Sequence, residues 1–306
     1  MRDAFEYFFF RLLYGFVRLF PFRVVQTMGR AFGNFIFSVV GFRKDLVLSN
    51  LRHAFPEKSG KEIVAIGKAS TQNLFTAFFE IAYLDKLSPE KIKELIAFPD
   101  AERITGLLRQ GKGLIILTGH FGNWELAALA TPVFVPNSYT IIVQQQRNRY
   151  VDMFMRRMRS RFGSKLVVMR NAFREGLKAL TNNEIVALIA DQSGPESGIY
   201  VDFFGRPAST HQGPAIFQVR SGAPMILVML IRESGGKCRL EVEEIETGDL
   251  TGSNEEKIQI VTERHVKALE RYVRRYPDHW LWMHKRWKHT DKYVQRKAQS
   301  GHDAIT

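Results

Sequence analysis

A histidine and a carboxylate stand five residues apart, directly after a short apolar stretch of the chain. The stretch is Leu114–Thr118, and Gly119, His120 and Glu125 follow it. We expect this stretch to be a buried strand, which places His120 at the sheet edge where open α/β folds keep their sites. His120 can accept a proton near neutral pH, and Glu125 can hold its ring in one tautomer. Since no serine or cysteine stands beside the pair, the pattern predicts a general base acting on a substrate hydroxyl.

The alternative for His120 is an ordinary loop or core histidine. Gly119 and Gly122 favour a functional reading, because glycine allows close approach of a ligand and positive φ. His265 and Glu270 repeat the same spacing. They belong to a continuous amphipathic helical pattern without a glycine break. We therefore interpret that pair as surface residues of a helix without a catalytic role.

Composition limits the partners of the chain. Its 306 residues are 45% hydrophobic and 25% charged, which is an ordinary globular balance with room for a core. The single cysteine, Cys238, excludes an internal disulfide, fits a reducing compartment, and is given no catalytic role. A net charge of +13 favours an anionic partner: nucleic acid, an anionic membrane surface or a phosphorylated substrate. The chain has no P-loop, no GxGxxG opening a helix and no Cys/His metal pattern, so we expect neither a metal nor a cofactor.

The first 42 residues are rich in aromatic side chains. Residues 5–20 include Arg11 and Arg18 among their phenylalanines, and residues 31–42 form a second apolar stretch. A spanning helix needs roughly 20 mostly apolar residues, and an arginine near its middle is costly in hydrocarbon. The pattern predicts an interfacial or shallowly inserted anchor whose arginines reach phosphate groups. The alternative is a pair of buried core helices.

From residue 113 onward, strand-like apolar runs alternate with helical patterns. This alternation predicts an α/β fold with a mainly parallel central sheet flanked by helices, and residues 239–245 as an added edge strand. We expect membrane-associated helices in residues 1–42, one α/β domain in residues 43–292, and a disordered polar tail in residues 293–306. The strand-like runs are residues 114–118, 139–143, 165–168, 185–190 and 225–231.

Further polar residues could reach the same sheet edge. Asp191 ends the apolar run 185–190, although a capping role is the alternative. Arg147 and Arg159 belong to an arginine-rich region that follows a strand, and arginine suits bidentate phosphate contacts.

Thr210 is a candidate N-cap for a helix beginning at Gln212. Residues 276–289 interleave three tryptophans with basic residues, which suits either stacking on nucleic-acid bases or a membrane interface.

The segment Thr118–Glu125 resembles the His-x4-Asp/Glu motif of glycerolipid-type acyltransferases. Its particular form is similar to the late (lauroyl/myristoyl) acyltransferases of lipid A biosynthesis. The resemblance covers nearly the whole chain, and the order and spacing of its motifs are more specific than any one of them. Besides the aromatic N-terminus, those motifs are residues 50–56, 146–149, the Arg159 helix, Asp191-Gln192, residues 203–205, 210–213 and 280–288.

The resemblance implies roles for individual residues. His120 would be the general base and Glu125 its partner. Arg159, seven residues after Asp152, would contact a phosphate or the developing oxyanion. Asp191 would position a basic group or the acceptor, and Arg147 and Asn123 are further candidates for substrate binding.

The resemblance also implies an activity and a location. We expect an acyltransferase at the bacterial inner membrane, facing the cytoplasm, that transfers a fatty acyl chain to a hydroxyl of a lipid A precursor. The donor would be acyl carrier protein or acyl-CoA, the acceptor a phosphorylated glycolipid, and the basic surface would meet an anionic membrane rather than nucleic acid. One alternative is acylation of another glycolipid, such as a phosphatidylinositol mannoside. A different alternative is a membrane-bound module that binds lipid or RNA without catalysis.

Overall fold

The computed structural model describes residues 2–302, with side chains described through residue 299. The helices are α1 Arg2–Val17, α2 Phe22–Phe35, α3 Lys44–Ala54, α4 Gly60–Ile81, α5 Pro89–Leu95, α6 Ala101–Leu108, α7 Trp124–Phe134, α8 Arg149–Arg159, α9 Ala172–Thr181, α10 Gly213–Ser221, α11 Asn254–Arg275 and α12 Thr290–His302. The strands are β1 Ile96–Ala97, β2 Leu114–Thr118, β3 Tyr139–Val143, β4 Lys165–Val168, β5 Ile185–Ile189, β6 Ile199–Phe203, β7 Arg206–Thr210, β8 Met225–Arg232 and β9 Cys238–Ile245.

Seven strands form one twisted-sheet layer in the order β1-β9-β8-β2-β5-β3-β4. Neighbours are parallel except β8 and β9, which are antiparallel. The prediction of a mainly parallel α/β sheet is thus confirmed. Strand β9 is present where an edge strand was expected, but β1 pairs with its outer side, so that it is not the edge.

Buried apolar side chains form a core on each face of the sheet. Strands β2 and β8 contribute to both cores, because a strand covered on two faces has no polar side. One core includes the tryptophans Trp280, Trp282 and Trp287, which are at most 9% exposed. The interpretation of these tryptophans as a surface for bases or membrane is therefore wrong: they pack inside the protein.

Helices α1 and α2 lie outside the sheet. Helix α2 crosses α4 closely at Gly29 and Gly33, where an added Cβ would come within 2.7 and 2.6 Å of the Cα atoms of Thr76 and Gln72. A short π-helix, Ile36–Val40, continues α2. Within residues 2–302, no helix is both long and apolar enough to cross a membrane.

Several expectations for the rest of the chain are corrected. Thr210 lies in β7, which pairs with β6 as a hairpin, and α10 begins after Gln212 without a side-chain cap. His265 and Glu270 are 3% and 7% exposed and belong to the buried residues of α11. They are therefore not surface residues. Helix α12 replaces the disorder expected after residue 292, and residues 303–306 lie outside the described part.

Candidate active site

The loops after β2 and β5 bring His120 and Asp191 together. The two strands are paired in parallel register, with Thr118 opposite Ile189, so the residues that follow them emerge side by side. His120 Nδ1 lies 2.8 Å from Asp191 Oδ1, and the His120 backbone N–H donates to Asp191 Oδ2 at 2.7 Å. Asp191 is therefore bonded to both the ring and the backbone of His120.

This contact selects one tautomer of the ring. A carboxylate only accepts hydrogen bonds, so Nδ1 carries the hydrogen and Nε2 is left to accept a proton. Burial lowers the pKa of His120, but the charge and hydrogen bond of Asp191, together with the charge of Glu125, outweigh it, and the pKa is raised above 6.5. The imidazole side chain keeps 22% of its surface exposed, which leaves an approach for a substrate.

Glu125 does not bond to His120, contrary to the expectation that it orients the ring. Its side chain points from the first turn of α7 toward α8, where Arg159 Nε and Nη2 donate to its two oxygens at 2.8 and 2.5 Å. The indole N–H of Trp124 also donates to Glu125, at 3.1 Å. The pair is mostly buried, with 4% of the Glu125 side chain and 15% of the Arg159 side chain exposed. Asp191 takes the position that the sequence assigned to Glu125.

The tryptophan-rich segment, residues 276–289, contacts the histidine loop, residues 119–123. Phe121 and Trp280 form an isolated antiparallel bridge, and Leu281 N–H donates to His120 C=O at 3.1 Å. The Trp280 indole N–H donates to Asp191 Oδ2 at 2.9 Å. The sequence does not predict this role of Trp280, because its only signal there is a cluster of tryptophans far along the chain. The segment fixes both members of the His120–Asp191 pair.

Gly122 permits this arrangement. Its φ is +56°, and an added Cβ would lie 2.2 Å from the carbonyl oxygen of Leu230 in β8. Its N–H donates to His279 C=O at 2.9 Å. Only glycine fits this approach between the loop and the sheet.

Asn123 and Arg147 both bond to other residues of the protein. The Asn123 side chain is 1% exposed: its oxygen caps α7 at the Leu126 N–H, and its nitrogen donates to Glu80 at 2.8 Å. Arg147 forms an ion pair with Glu6 of α1 at 2.9 Å. The amide is thus used to build the loop, and the guanidinium to attach the N-terminal helix.

Glu80 is a buried carboxylate that sequence analysis did not identify. Arg232 at the end of β8 donates two hydrogen bonds to it, and Gln26 of α2 donates another at 2.7 Å. With the bond from Asn123, this network joins α2, α4 and β8 to the residue next to the histidine loop. A glutamate within an apolar helix gives no sequence signal of such partners.

Aromatic rings contact one another in a row that begins at His120 and ends at exposed positions. Trp124 packs edge-on against His120, with ring centroids 4.9 Å apart, and Phe78 contacts Trp124 at 6.4 Å. Phe75 contacts both Phe78 and Phe32 of α2. Phe78 is 46% exposed and Phe32 41%. These rings therefore form a row of aromatic side chains that connects His120 with exposed positions of α4 and α2.

The arrangement can move a proton, since a neutral imidazole with one ring nitrogen held by a carboxylate is a general base. Among the described residues, no three histidine, cysteine, aspartate or glutamate side chains are grouped to hold a metal ion.

Comparison with known proteins gives consistent matches. A family model described as bacterial lipid A biosynthesis acyltransferase matches residues 3–289. The chain is 23% identical over 271 residues to a lipid A biosynthesis palmitoleoyltransferase of Escherichia coli (strain K12), covering 88% of this chain and 86% of that protein. It is 23% identical over 242 residues to a phosphatidylinositol mannoside acyltransferase of Mycolicibacterium smegmatis, covering 76% of each. A protein of the same description from Mycobacterium tuberculosis (strain CDC 1551 / Oshkosh) is 26% identical over 134 residues, covering 41% of this chain and 40% of that one.

Proposed function

Because the chain belongs to the bacterial lipid A biosynthesis acyltransferase family and is an acyltransferase, we propose that it transfers a fatty acyl group from a thioester to a hydroxyl of a lipid A precursor. The observation that carries the proposal is the His120–Asp191 pair at the carboxyl end of the parallel strands. A donor on acyl carrier protein or coenzyme A would supply the thioester. No covalent intermediate is required, since the acceptor itself is the nucleophile.

In the proposed reaction, His120 Nε2 takes the proton of the acceptor hydroxyl while the hydroxyl oxygen forms a bond to the thioester carbonyl carbon. The tetrahedral intermediate then collapses and the carbon–sulfur bond breaks. The protonated Nε2 returns its proton to the leaving thiolate, so the products are an ester and a free thiol. Asp191 holds the ring throughout, since its bond to Nδ1–H strengthens when the imidazole becomes positively charged.

Arg159 is the proposed electrostatic partner of the reaction. Its Nε and Nη2 atoms donate to Glu125, and in the proposal its Nη1 group would donate to a substrate oxygen. A fixed guanidinium in a partly desolvated site stabilises developing negative charge, and it needs no reorganisation when the charge appears. Glu125 therefore serves as a positioning residue for Arg159 in this proposal.

The proposed location is the cytoplasmic face of the bacterial inner membrane, and its support is the outer surface of the N-terminal helices. Exposed aromatic and aliphatic side chains of this density suit an interfacial helix. Six large apolar residues of α1 keep more than half of their surface exposed: Phe5, Phe8, Phe9, Leu12, Leu13 and Phe16. With the positive net charge, this surface would bind an anionic leaflet and keep the protein close to its lipid substrates.

The acceptor has one specific rival. A relative described as a phosphatidylinositol mannoside acyltransferase matches this chain at the same identity, 23%, as the lipid A enzyme. Both acceptors are phosphorylated glycolipids, and the chemistry at His120 would be the same for either. We favour the lipid A precursor because the family model covers residues 3–289.

The test is a transfer assay with purified full-length protein, two acceptors (a lipid A precursor and a phosphatidylinositol mannoside) and two donors (acyl carrier protein and coenzyme A thioesters). Product masses identify the acceptor, and separate reactions with each thioester identify the donor. His120→Ala should slow transfer by about 10²–10⁴. His53→Gln is the matched control, because His53 bonds to Phe204 C=O and not to Asp191. Near-normal transfer by a folded His120→Ala variant would refute the mechanism. Transfer to the phosphatidylinositol mannoside but not to the lipid A precursor would show that the mannoside is the acceptor.

A further inference from the structure

A cavity of about 400 Å³ lies between α1 and α8, apart from the His120 site. Its walls combine basic side chains with apolar and aromatic ones. The lining residues are Arg11, Tyr14, Arg18, Asp85, Phe154, Arg157, Met158 and Arg161. Four guanidinium groups and one carboxylate give this lining a net charge of +3.

Two of the arginines, Arg11 of α1 and Arg18 directly after it, flank one ring. The Arg11 guanidinium lies 5.4 Å from the centroid of Tyr14, and that of Arg18 lies 4.6 Å from it. Tyr14 donates to Asp85 at 2.5 Å, and Arg18 donates to the same carboxylate oxygen at 2.9 Å. Asp85 therefore holds Arg18 and Tyr14 in place and offsets one of the four positive charges.

The other two arginines come from α8 and the turn after it. Arg161 is fixed by donating to Leu84 C=O at 2.9 Å. The guanidinium of Arg157 has no hydrogen bond or ion pair with any described residue, and Arg11 reaches only the hydroxyl of Tyr7, at 3.4 Å. The cavity thus keeps two cations without a carboxylate partner next to two that are held in position.

The position of the cavity indicates the kind of anion. Helix α1 presents Arg11 and Tyr14 to the cavity, and it also carries the exposed apolar residues Phe8, Leu12 and Phe16. Arginine groups bind phosphate oxygens through paired N–H donors. A ligand that joins a phosphate to hydrocarbon could use both features of α1 at once.

We propose that this cavity binds the phosphate group of a membrane lipid. The phosphate would accept hydrogen bonds from Arg11 and Arg157, with Arg18 and Arg161 completing the positive surroundings. Its acyl chains would lie along the exposed side of α1. The lipid is either a bilayer phospholipid or, resting on the proposed function, the phosphorylated glycolipid acceptor, and both present the same chemistry.

The first arm of the test measures lipid binding without catalysis, using full-length protein and a short-chain phosphatidylglycerol dispersed as monomers. The matched ligand is the short-chain diacylglycerol, which lacks the phosphate. Arg11→Gln/Arg157→Gln should weaken saturable phosphatidylglycerol binding by about fivefold for each arginine. Arg23→Gln/Arg30→Gln removes the same charge from exposed positions of α2 and should bind like wild type. The Arg157→Gln single variant, with thermal unfolding as a check of folding, serves if the double variant is unstable.

The second arm measures the KM of phosphorylated and dephosphorylated acceptor in uncharged micelles. A bilayer phospholipid is the ligand if only phosphatidylglycerol binding weakens. The acceptor is the ligand if the pocket variant raises the KM of the phosphorylated acceptor alone. Equal behaviour of pocket and control variants in both arms overturns the proposal, as does a loss confined to affinity for an acidic carrier protein. The first arm measures binding and requires no acyl transfer. Its result can therefore be interpreted even if the proposed function is wrong.

Discussion

Asp191 Oδ1 lies 2.8 Å from His120 Nδ1, although 71 residues separate the two in the chain. The contact follows from the pairing of β2 with β5, in which Ala190 N–H also donates to Thr118 C=O at 3.1 Å. Glu125, which is much closer in sequence, is directed by the first turn of α7 toward Arg159. Strand pairing therefore decides which carboxylate holds the histidine.

We predict that Asp191→Asn slows transfer more than Glu125→Gln does and moves the acid limb of the pH–rate profile to lower pH. Burial lowers the pKa of His120, and Asp191 is the largest influence that raises it. The base acts in its neutral form, so the rate increases as pH rises through the pKa of His120. Loss of Asp191 lowers that pKa and shifts the increase downward. An acid limb at the wild-type pH in Asp191→Asn would contradict the assignment, and Asp202→Asn, at an exposed ion pair with Lys267, is the control.

The Glu125–Arg159 pair predicts a non-additive pattern of stability. Removing one partner leaves a largely buried charge without compensation, so Glu125→Gln and Arg159→Gln should each lower the free energy of unfolding by up to about 3 kcal/mol. The double variant should recover part of that loss, because neither charge remains. Urea unfolding of all three variants measures this. A double variant destabilised by the sum of the single losses would show that the two side chains are not coupled.

Gly122→Ala should destabilise the protein and slow transfer. Holding a non-glycine residue at φ +56° costs about 1–3 kcal/mol, and the clash of Cβ with Leu230 C=O adds to that cost. Gly163→Ala is the matched control, since Gly163 also has positive φ, at +86°, but open space around its Cα. Thermal unfolding and transfer rates compare the two. Similar losses in both variants would mean that the contact with β8 is unimportant.

His265 predicts an acid-sensitive stability. Burial, reinforced by the charge of Arg286, lowers the pKa of His265 to about 3 in the folded protein. The unfolded chain binds this proton near pH 6.5, so stability is lost as pH falls from 6.5 toward 3. At pH 5 the loss is about 2 kcal/mol relative to neutral pH. His265→Leu should remove that part of the acid sensitivity, which unfolding curves at pH 7 and pH 5 would reveal; an unchanged difference would show that other groups cause it.

The exposed residues of α1 predict attachment that resists salt. Each exposed phenylalanine or leucine buried in the interface contributes roughly 1.5–3 kcal/mol that salt does not screen. Phe9→Ser/Leu12→Ser/Phe16→Ser should therefore release the protein from membranes in high salt, while wild type stays bound. Phe173→Ser, at a half-exposed position of α9, should leave binding unchanged. Wild-type protein that washes off in high salt would exclude this surface as the anchor.

Local sequence patterns determined much of the fold. Period-two and period-3.6 patterns depend on neighbours within a few residues, so the six strands of the seven-stranded sheet that follow residue 113, the long helix α11 and the mainly parallel order could all be predicted. The position of His120 after a buried strand followed from the same patterns. The β6–β7 hairpin was missed because Thr210 was interpreted as a helix cap.

Tertiary structure decided what depends on contacts between distant segments. Because β2 and β5 are neighbours in the sheet, Asp191 lies beside His120. The packing of α7 near α8 brings Glu125 within hydrogen-bond distance of Arg159. The burial of Trp280 against Asp191 is equally invisible in a local pattern, since interleaved tryptophan and basic residues suit a surface as well as a core. Spacing along the chain favours partners that are close in sequence. Hydrogen bonds, however, form between groups that strand pairing and helix packing bring within about 3 Å, however far apart they are in the chain.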